Sequence, residues 1–129
     1  MTLEKKAVLL IGHGSRAAGA NDSIYRIAEI VRRETSYPIV ELGFMGLNPP
    51  SIGDGVETCI AQGATKIIVM PYFLHLGMHM QKDLPEMMGE LRAKHPAVEL
   101  LLGQHIGFHP KLAEIVIERI NDLDGDRCG

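Results

Sequence analysis

Two histidine-bearing segments are the parts of this sequence best suited to chemistry. His13 lies between two glycines, directly after the apolar run 7–11. His75 and His79 stand four residues apart in a segment that follows a second, largely apolar run, 66–70. Neutral imidazole binds divalent transition metals and accepts protons near neutral pH. A metal site or an acid–base site built from these histidines is therefore the first functional hypothesis.

The elements that must position these histidines follow from the pattern of apolar residues. Short apolar runs bounded by glycine or proline are typical of strands buried on both faces of a parallel sheet. The predicted strands are residues 7–11, 39–45, 66–70 and 98–102. Helical periodicity and capping residues predict helices from Asn21 or Asp22 to Thr35, from Ser51 to Gln62, from Asp83 to Lys94 and from Pro110 to Leu123. The alternation predicts an α/β fold with a four-stranded parallel sheet and helices on both faces.

The predicted topology brings the two histidine segments together. In the flavodoxin-like strand order 2-1-3-4, strands one and three are neighbours, and ligands bind where the strands end at the switch point. His13 follows strand one, while His75 and His79 follow strand three, so we expect both segments to face one cleft. The alternative is that these histidines lie on separate surfaces. His109, just before Pro110, is expected to cap the last helix.

The composition and charge of the chain argue against several classes of function. The chain has 129 residues with a net charge of −3, which argues against nucleic-acid binding. No stretch approaches the ~20 apolar residues of a membrane helix, and the N-terminus lacks a signal-peptide pattern, so we expect a cytoplasmic protein. The two cysteines fit no metal motif and are expected to be reduced. We expect a single domain over residues 1–129 with a frayed tail at 124–129.

Two other readings of the first segment stay open at this point. The pattern Gly12-x-Gly14-x-x-Ala17, with Glu41 further on, formally fits a dinucleotide fingerprint. That reading leaves the histidines unexplained, and the chain has no room for a separate substrate domain. A phosphate-handling enzyme with His13 as nucleophile is the second reading. Histidine-type phosphatases carry an arginine directly before that histidine, whereas this chain has Gly12.

Four motifs together point to one family. They are Ile11-Gly12-His13-Gly14-Ser15-Arg16, the pair Pro50-Ser51, the segment Pro71 to Pro85 with Gly77, His79 and Asp83, and Gly107-x-His109-Pro110. With these motifs the chain resembles the small sirohydrochlorin chelatases, the short class II cobalt or nickel chelatases. The resemblance covers nearly the whole chain, and the first and third motifs are specific when they occur together.

This resemblance implies a reaction and a site. A divalent metal, cobalt or alternatively nickel, would enter the tetrapyrrole sirohydrochlorin as two pyrrole protons leave, without a nucleotide or other cofactor. His13 would accept protons and bind the metal, and His79 would be the second catalytic residue and metal ligand. The substrate-binding residues would be Ser15, Arg16, Pro49, Leu74, His75, Leu76, Gly77, Met78 and His79. A non-catalytic carrier of metal or tetrapyrrole with the same cleft is the alternative.

The resemblance also carries one departure and one expectation about assembly. Related small chelatases often have an acidic residue in the loop after strand two, but loop 46–50 of this chain has none. The longer chelatases resemble two such units fused in one chain. We therefore expect a two-fold homodimer, in which Phe73, Leu74, Leu76 and Met78 help to wall a shared cleft for the flat substrate.

Overall fold

The computed structural model of the chain describes residues 3–15, 19, 21–46 and 48–125. Strands and helices alternate along it. The strands are β1 (Lys6–Gly12), β2 (Ile39–Phe44), β3 (Lys66–Pro71) and β4 (Glu99–Leu102). The helices are α1 (Asp22–Glu34), α2 (Ile52–Ala61), α3 (Met78–Lys94) and α4 (Pro110–Asp124). The predicted α/β class and its alternating order are confirmed.

The four strands form one parallel sheet in the order β2-β1-β3-β4. Because all strands run the same way, their carboxyl ends lie along one edge of the sheet. The described residues of the segments 13–21, 45–50, 72–79 and 103–109 lie along this edge, and we call them the rim. The predicted strand order is confirmed, and with it the adjacency of the segments that follow β1 and β3.

Successive side chains of each strand point to opposite faces of the sheet, and the two faces are covered differently. On one face, α2 and α3 cover residues such as Leu9, Ile67 and Leu100, none more than 3% exposed. On the other face, α1 covers Val8 and Leu10 at the β1–β2 half of the sheet. Helix α4 contributes no buried residue to either face.

Helix α2 lies unusually close to the sheet because glycines leave room for it. A Cβ atom on Gly55 would lie 2.6 Å from Cδ1 of Leu9, and one on Gly43 would lie 2.9 Å from the Cα of Ile52. The helix begins with a capping box between Ser51 and Asp54, as the sequence predicts for Ser51. These contacts fix the direction in which the chain leaves β2 at the rim.

Cys59 of α2 is fully buried against this face. Burial raises the pKa of its thiol to about 12, and the nearby charge of Glu41 adds to the rise. The thiol is therefore neutral across the physiological pH range, and its role is packing rather than redox or nucleophilic chemistry.

The start of α3 and the C-terminal tail differ from the predictions. Helix α3 begins at Met78, not at Asp83, because Gly77 already adopts the extended backbone of an N-cap residue. Pro85 consequently lies inside the helix rather than near its start. Asp124 is the last residue of α4 and Gly125 caps it, whereas residues 126–129 of the expected tail lie outside the described residues.

In the described ranges, no helix combines the length and the apolar character needed to cross a membrane.

Candidate active site at the rim of the sheet

The backbone around His13 is held from both sides. On one side, the N–H of Met45 donates to the carbonyl of Gly12 (2.9 Å), and the N–H of Gly46 donates to the carbonyl of His13 (3.0 Å). On the other side, the N–H of Tyr72 donates to the carbonyl of Ile11 (2.8 Å). The hydrogen bonding of the sheet thus continues past the strands and fixes the position from which the His13 side chain projects.

The imidazole of His13 rests on an aromatic ring from the segment after β3. The ring centroids of His13 and Phe73 are 4.3 Å apart, and the planes are tilted by 48°. Phe73 is only 4% exposed, whereas His13 is exposed. The packed ring restricts the imidazole while leaving it accessible to a ligand, which suits a metal-binding or proton-accepting group.

The chain turns sharply after His13, and Asn48 stabilises the turn. Gly14 has a φ of +83°, and a Cβ atom on it would lie 2.7 Å from Oδ1 of Asn48. The Asn48 side chain donates to the carbonyl of Ser15 (2.7 Å), and so does the Asn21 side chain (3.3 Å). Only glycine combines this conformation with the missing side chain, so the glycine after His13 is a structural requirement.

A cavity of about 220 Å³ opens beside His13. It is lined by residues of the first segment and by the start of α1, including Gly14, Ser15, Asn21 and Ser23. Serine and asparagine residues share its walls with Tyr72 and with the apolar residues Ile24 and Phe44. The cavity can therefore accept a small polar group next to the imidazole.

The second histidine segment is exposed along most of its length. Leu74 is 59% exposed and Met78 is 87% exposed, and His75, Gly77 and His79 are also exposed. His79 lies in the first turn of α3, so its backbone is fixed by the helix, whereas His75 precedes the helix. Of these two histidines, His79 has the more defined position.

The structure brings some of the predicted site residues together and leaves others apart. His13 contacts Phe73, which directly precedes the second segment. The cavity beside His13, however, is not lined by any residue of 74–79. Leu76 instead lines a separate, more apolar cavity of about 360 Å³ together with Met80, Leu84 and His105. Across residues 3–15, 19, 21–46 and 48–125, no three His, Cys, Asp or Glu side chains form a group that could hold a metal ion.

Several expectations for individual residues are corrected or completed here. Phe73 is buried in the core, and Leu76 packs half-buried against it, while their expected part in a cleft shared by two copies stays a prediction. Pro49 is exposed at the rim. Arg16 lies outside the described residues. The capping role predicted for His109 is confirmed, since its Nδ1 accepts the N–H of Lys111 at 3.1 Å.

Sequence analysis missed the supporting roles of Phe73 under His13 and of Asn48 at the turn. Phe73 is an apolar residue in an apolar segment, so nothing in its type singles it out as the platform for His13. Asn48 carries a weak signal, because it is the only side chain with an amide in a loop otherwise made of glycine, leucine and proline. Each acts through a contact between segments far apart in sequence, which only the fold reveals.

The chain is similar to known proteins over most of its length. The CbiX family model matches residues 7–123. A sirohydrochlorin cobaltochelatase of Priestia megaterium is 40% identical over 95% of this chain, and one of Methanopyrus kandleri is 33% identical over 93% of it. The crystal structure of the sirohydrochlorin chelatase SirB from Bacillus subtilis subspecies spizizenii, in complex with cobalt, superposes with a TM-score of 0.84 at 33% identity over 92% of this chain.

These relatives differ in length. The chain spans 40% of the Priestia protein and 50% of the solved SirB chain, but 98% of the Methanopyrus protein. One unit of this fold therefore corresponds to the whole of some relatives and to about half of others.

Proposed function

The chain belongs to the CbiX family, and on that premise we propose that it is a sirohydrochlorin chelatase that inserts a divalent metal, cobalt in the first place, into the tetrapyrrole. Relatives of both lengths are named for this activity, and the solved chelatase SirB was crystallised with cobalt. The carrying observation is the exposed imidazole of His13, held at the end of β1 against Phe73.

In the proposed reaction the metal is a substrate, and His13 and His79 are the residues that present it. Imidazole is a good ligand for first-row divalent metals, and a site with few protein ligands leaves coordination positions open. The pyrrole nitrogens of the substrate occupy those positions as the metal leaves the protein. A loosely held metal is what a transfer enzyme requires, because a closed four-ligand site would retain the ion.

Charge and protons balance in this scheme. The divalent ion replaces two pyrrole N–H protons, so two protons must leave for each metal inserted. His13 is the proposed acceptor, since imidazole exchanges protons readily near neutral pH and this side chain is open to solvent. The loop after β2 carries no carboxylate, so this chain has no acid at that position to share the role.

Segment 74–79, most of which is exposed, is the proposed binding surface for the macrocycle. Leu74 and Met78 present large apolar surfaces at the rim, and such surfaces are typical of ligand sites. Ser15, Arg16 and Pro49 are the proposed contacts for the edge of the macrocycle and its carboxylates. Ser15 also lines the cavity beside His13, where the nearby Asn21 and Ser23 suit a carboxylate group.

Further features of the proposal come from the sequence alone and stay predictions. They are nickel as the alternative metal, independence from nucleotides, location in the cytoplasm, and a single domain over residues 1–129. The homodimer is also a prediction. Its support is that some relatives contain about two lengths of this chain, whereas the Methanopyrus relative contains one.

A spectroscopic assay tests the proposed function. Purified protein is mixed with an excess of sirohydrochlorin and Co²⁺, and the absorbance change of metal insertion is followed against a control without protein. We expect many insertions per chain. A parallel series with Ni²⁺ and Fe²⁺ ranks the metals.

The alternatives give different results in the same experiment. A carrier would bind sirohydrochlorin or metal with one equivalent per site and leave the insertion rate at the control level. A phosphate-handling enzyme would hydrolyse a chromogenic phosphate ester and leave sirohydrochlorin unchanged. Either outcome would overturn the proposed chelatase.

A further inference from the structure

The second cavity at the rim, of about 360 Å³, is larger than the one beside His13. Met80 and Leu84 line it from the start of α3, and Gln104 and His105 line it from the segment that follows β4. Ligand pockets typically combine apolar walls with a few polar groups that fix the orientation of the ligand. The lining of this cavity therefore suits a ligand that has an apolar stem and a polar end.

The imidazole of His105 is half-buried at this cavity and is available to a ligand. Among the described residues, none forms a hydrogen bond with either of its ring nitrogens. His109, four residues further on, instead uses its Nδ1 to cap α4. The His105 ring lies beside Gly107, where a Cβ atom would be 3.6 Å from Nε2. Because a polar group that is partly removed from water gains from a hydrogen-bond partner, a bound acceptor or donor would be favourable here.

The strand order places this cavity across the proposed macrocycle surface from His13. In the order β2-β1-β3-β4, the segment 72–79 lies between the segments that follow β1 and β4. Neighbouring strands are about 4.8 Å apart, so the ends of β1 and β4 are separated by about 10 Å along the rim. A flat tetrapyrrole that lies over segment 74–79 and reaches His13 therefore extends its opposite edge toward the second cavity.

Hydrogen bonds join the second cavity to the macrocycle surface and to the platform of His13. The N–H of Ile106, the residue after His105, donates to the carbonyl of Phe73 at 3.0 Å. The side chain of Gln81 donates to the carbonyl of Leu76 at 3.2 Å, and both residues line the cavity. The two binding regions are thus built on one connected stretch of backbone.

We propose that the second cavity is a subsite for one edge of the tetrapyrrole, in which a pendant carboxylate arm reaches His105 and Gln104. Sirohydrochlorin carries its carboxylates on short methylene arms, so each arm has an apolar stem and an acceptor end. The stem packs on Met80 and Leu84, and the carboxylate accepts hydrogen bonds from the imidazole and the glutamine amide. This inference rests on the proposed function, because it specifies how that substrate is held.

Charge distinguishes this cavity from another one along α3. That cavity, of about 320 Å³, is lined by Asp83, Glu86 and Glu90. Their carboxylates would repel the arms of the substrate. The described residues that line the second cavity include no Asp or Glu, so an acidic arm meets no like charge in its lining.

Titration of the full chain with metal-free sirohydrochlorin, followed by the fluorescence of the tetrapyrrole, tests the subsite without metal insertion. His105→Phe keeps an aromatic ring and removes both nitrogens, so we expect the dissociation constant to rise about 10-fold. His105→Gln retains an N–H donor and should recover part of that loss. Circular dichroism checks that each variant keeps its secondary structure. A dissociation constant that His105→Phe leaves unchanged would overturn the proposal.

Substitution of the exposed Gln104 gives a second test that does not depend on a half-buried side chain. Gln104→Glu should weaken binding and Gln104→Lys should strengthen it, and both shifts should shrink at high salt. Ser36→Glu is the matched control, because Ser36 is exposed and precedes β2 at the opposite edge of the sheet. If Ser36→Glu weakens binding as much as Gln104→Glu, net charge explains the effect and the proposal is wrong.

A pair of tetrapyrroles checks that the ligand of His105 is an acidic arm. Uroporphyrin is compared with its amide derivative, in which neutral carboxamides replace the carboxylates. We expect His105→Phe to lower the affinity for uroporphyrin by a larger factor than the affinity for the amide, because hydrogen bonds to a charged acceptor are stronger. Equal losses for the two ligands would mean that His105 supports the shape of the surface, and they would overturn the proposal.

The metal-insertion assay on the same variants keeps the two proposals distinguishable. If sirohydrochlorin binding depends on His105 and Gln104 but the protein inserts no metal, the function fails and the subsite stands. If metal is inserted and the KM of His105→Phe equals that of wild type, the subsite fails and the function stands. If wild type binds no sirohydrochlorin, both proposals fail.

Discussion

The sheet face under α2 and α3 and the rim above it differ in how far their side chains are exposed. On that face, Leu9, Ile67 and Val69 have no exposed surface, and glycines bring α2 into close contact. At the rim, His13 and His79 are exposed, and their backbones are held by hydrogen bonds and by the start of α3. The difference indicates that burial supplies the stability of this protein, whereas the candidate chemistry depends on side chains that contribute little to folding.

His79→Ala is the substitution at the rim from which we expect one of the largest losses. Removing a metal ligand should lower kcat for cobalt insertion at least about 100-fold, since groups that handle metal or protons contribute on that scale. His75→Ala is the matched control, because His75 is a histidine of the same segment that precedes the helix. It should cost much less. A larger loss for His75→Ala than for His79→Ala would mean that the second ligand has been assigned to the wrong residue.

Two leucine substitutions compare the covered face with the rim through their effect on the free energy of unfolding. Leu100→Ala, on the covered face, should lower the free energy of unfolding by about 2–5 kcal/mol, because it leaves a cavity. Leu74→Ala, at the rim, should lower it by less than about 1 kcal/mol and should raise KM for sirohydrochlorin, because this side chain is already 59% exposed. Urea denaturation and steady-state kinetics on both variants provide the check. Equal losses of stability would show that the rim leucine also belongs to the core.

Because Cys59 is buried in the covered face, the stability of the protein should depend on pH in the alkaline range. Its thiol has a pKa of about 12 in the folded chain and 9.0 as the ordinary value. Between these values the folded state retains a proton that the unfolded state has lost, so stability is complete below pH 9 and falls as the pH rises toward 12. The slope approaches about 1.4 kcal/mol per pH unit. Cys59→Ala should remove this slope, and the difference between the two unfolding series isolates it from other titrating groups. Parallel pH series for the two proteins would contradict the prediction.

Salt should affect the rim alone, and by the smallest amount. The proposed substrate, sirohydrochlorin, is rich in carboxylates, while the chain has a net charge of −3, so attraction must come from local groups such as Arg16 and the helix N-termini. Raising ionic strength from 0.01 to 0.15 M shortens the screening distance from about 30 to about 8 Å. We expect KM to rise a few-fold with kcat unchanged. A KM that does not change with salt would argue against electrostatic capture of the substrate.

Sequence reasoning succeeded where burial alone determines the structure. The uninterrupted apolar runs of β1 and β3 predicted both strands, although β3 is fully buried on one face only. Their neighbouring positions followed from the expected strand order 2-1-3-4. It failed at the start of α3, since Gly77 is an N-cap without a capping side chain and only Met80 of the first turn packs against the core. The platform under His13 was also missed, because Phe73 acts through a contact between segments about 60 residues apart, which no local pattern encodes.

Helix α4 shows a different limit of sequence patterns. The helix was predicted correctly from its start at Pro110, and its apolar residues lie at helical spacing. The same spacing is compatible with packing on its own sheet or on that of another copy, because an amphipathic pattern records that a face is buried and not which chain buries it.

The most direct test of the proposed role of the rim is the initial rate of cobalt insertion by His13→Ala, measured together with its free energy of unfolding. The account predicts that the rate falls at least about 100-fold while the free energy of unfolding stays within about 1 kcal/mol of wild type, since His13 is exposed. A His13→Ala enzyme that inserts cobalt at the wild-type rate would contradict the account.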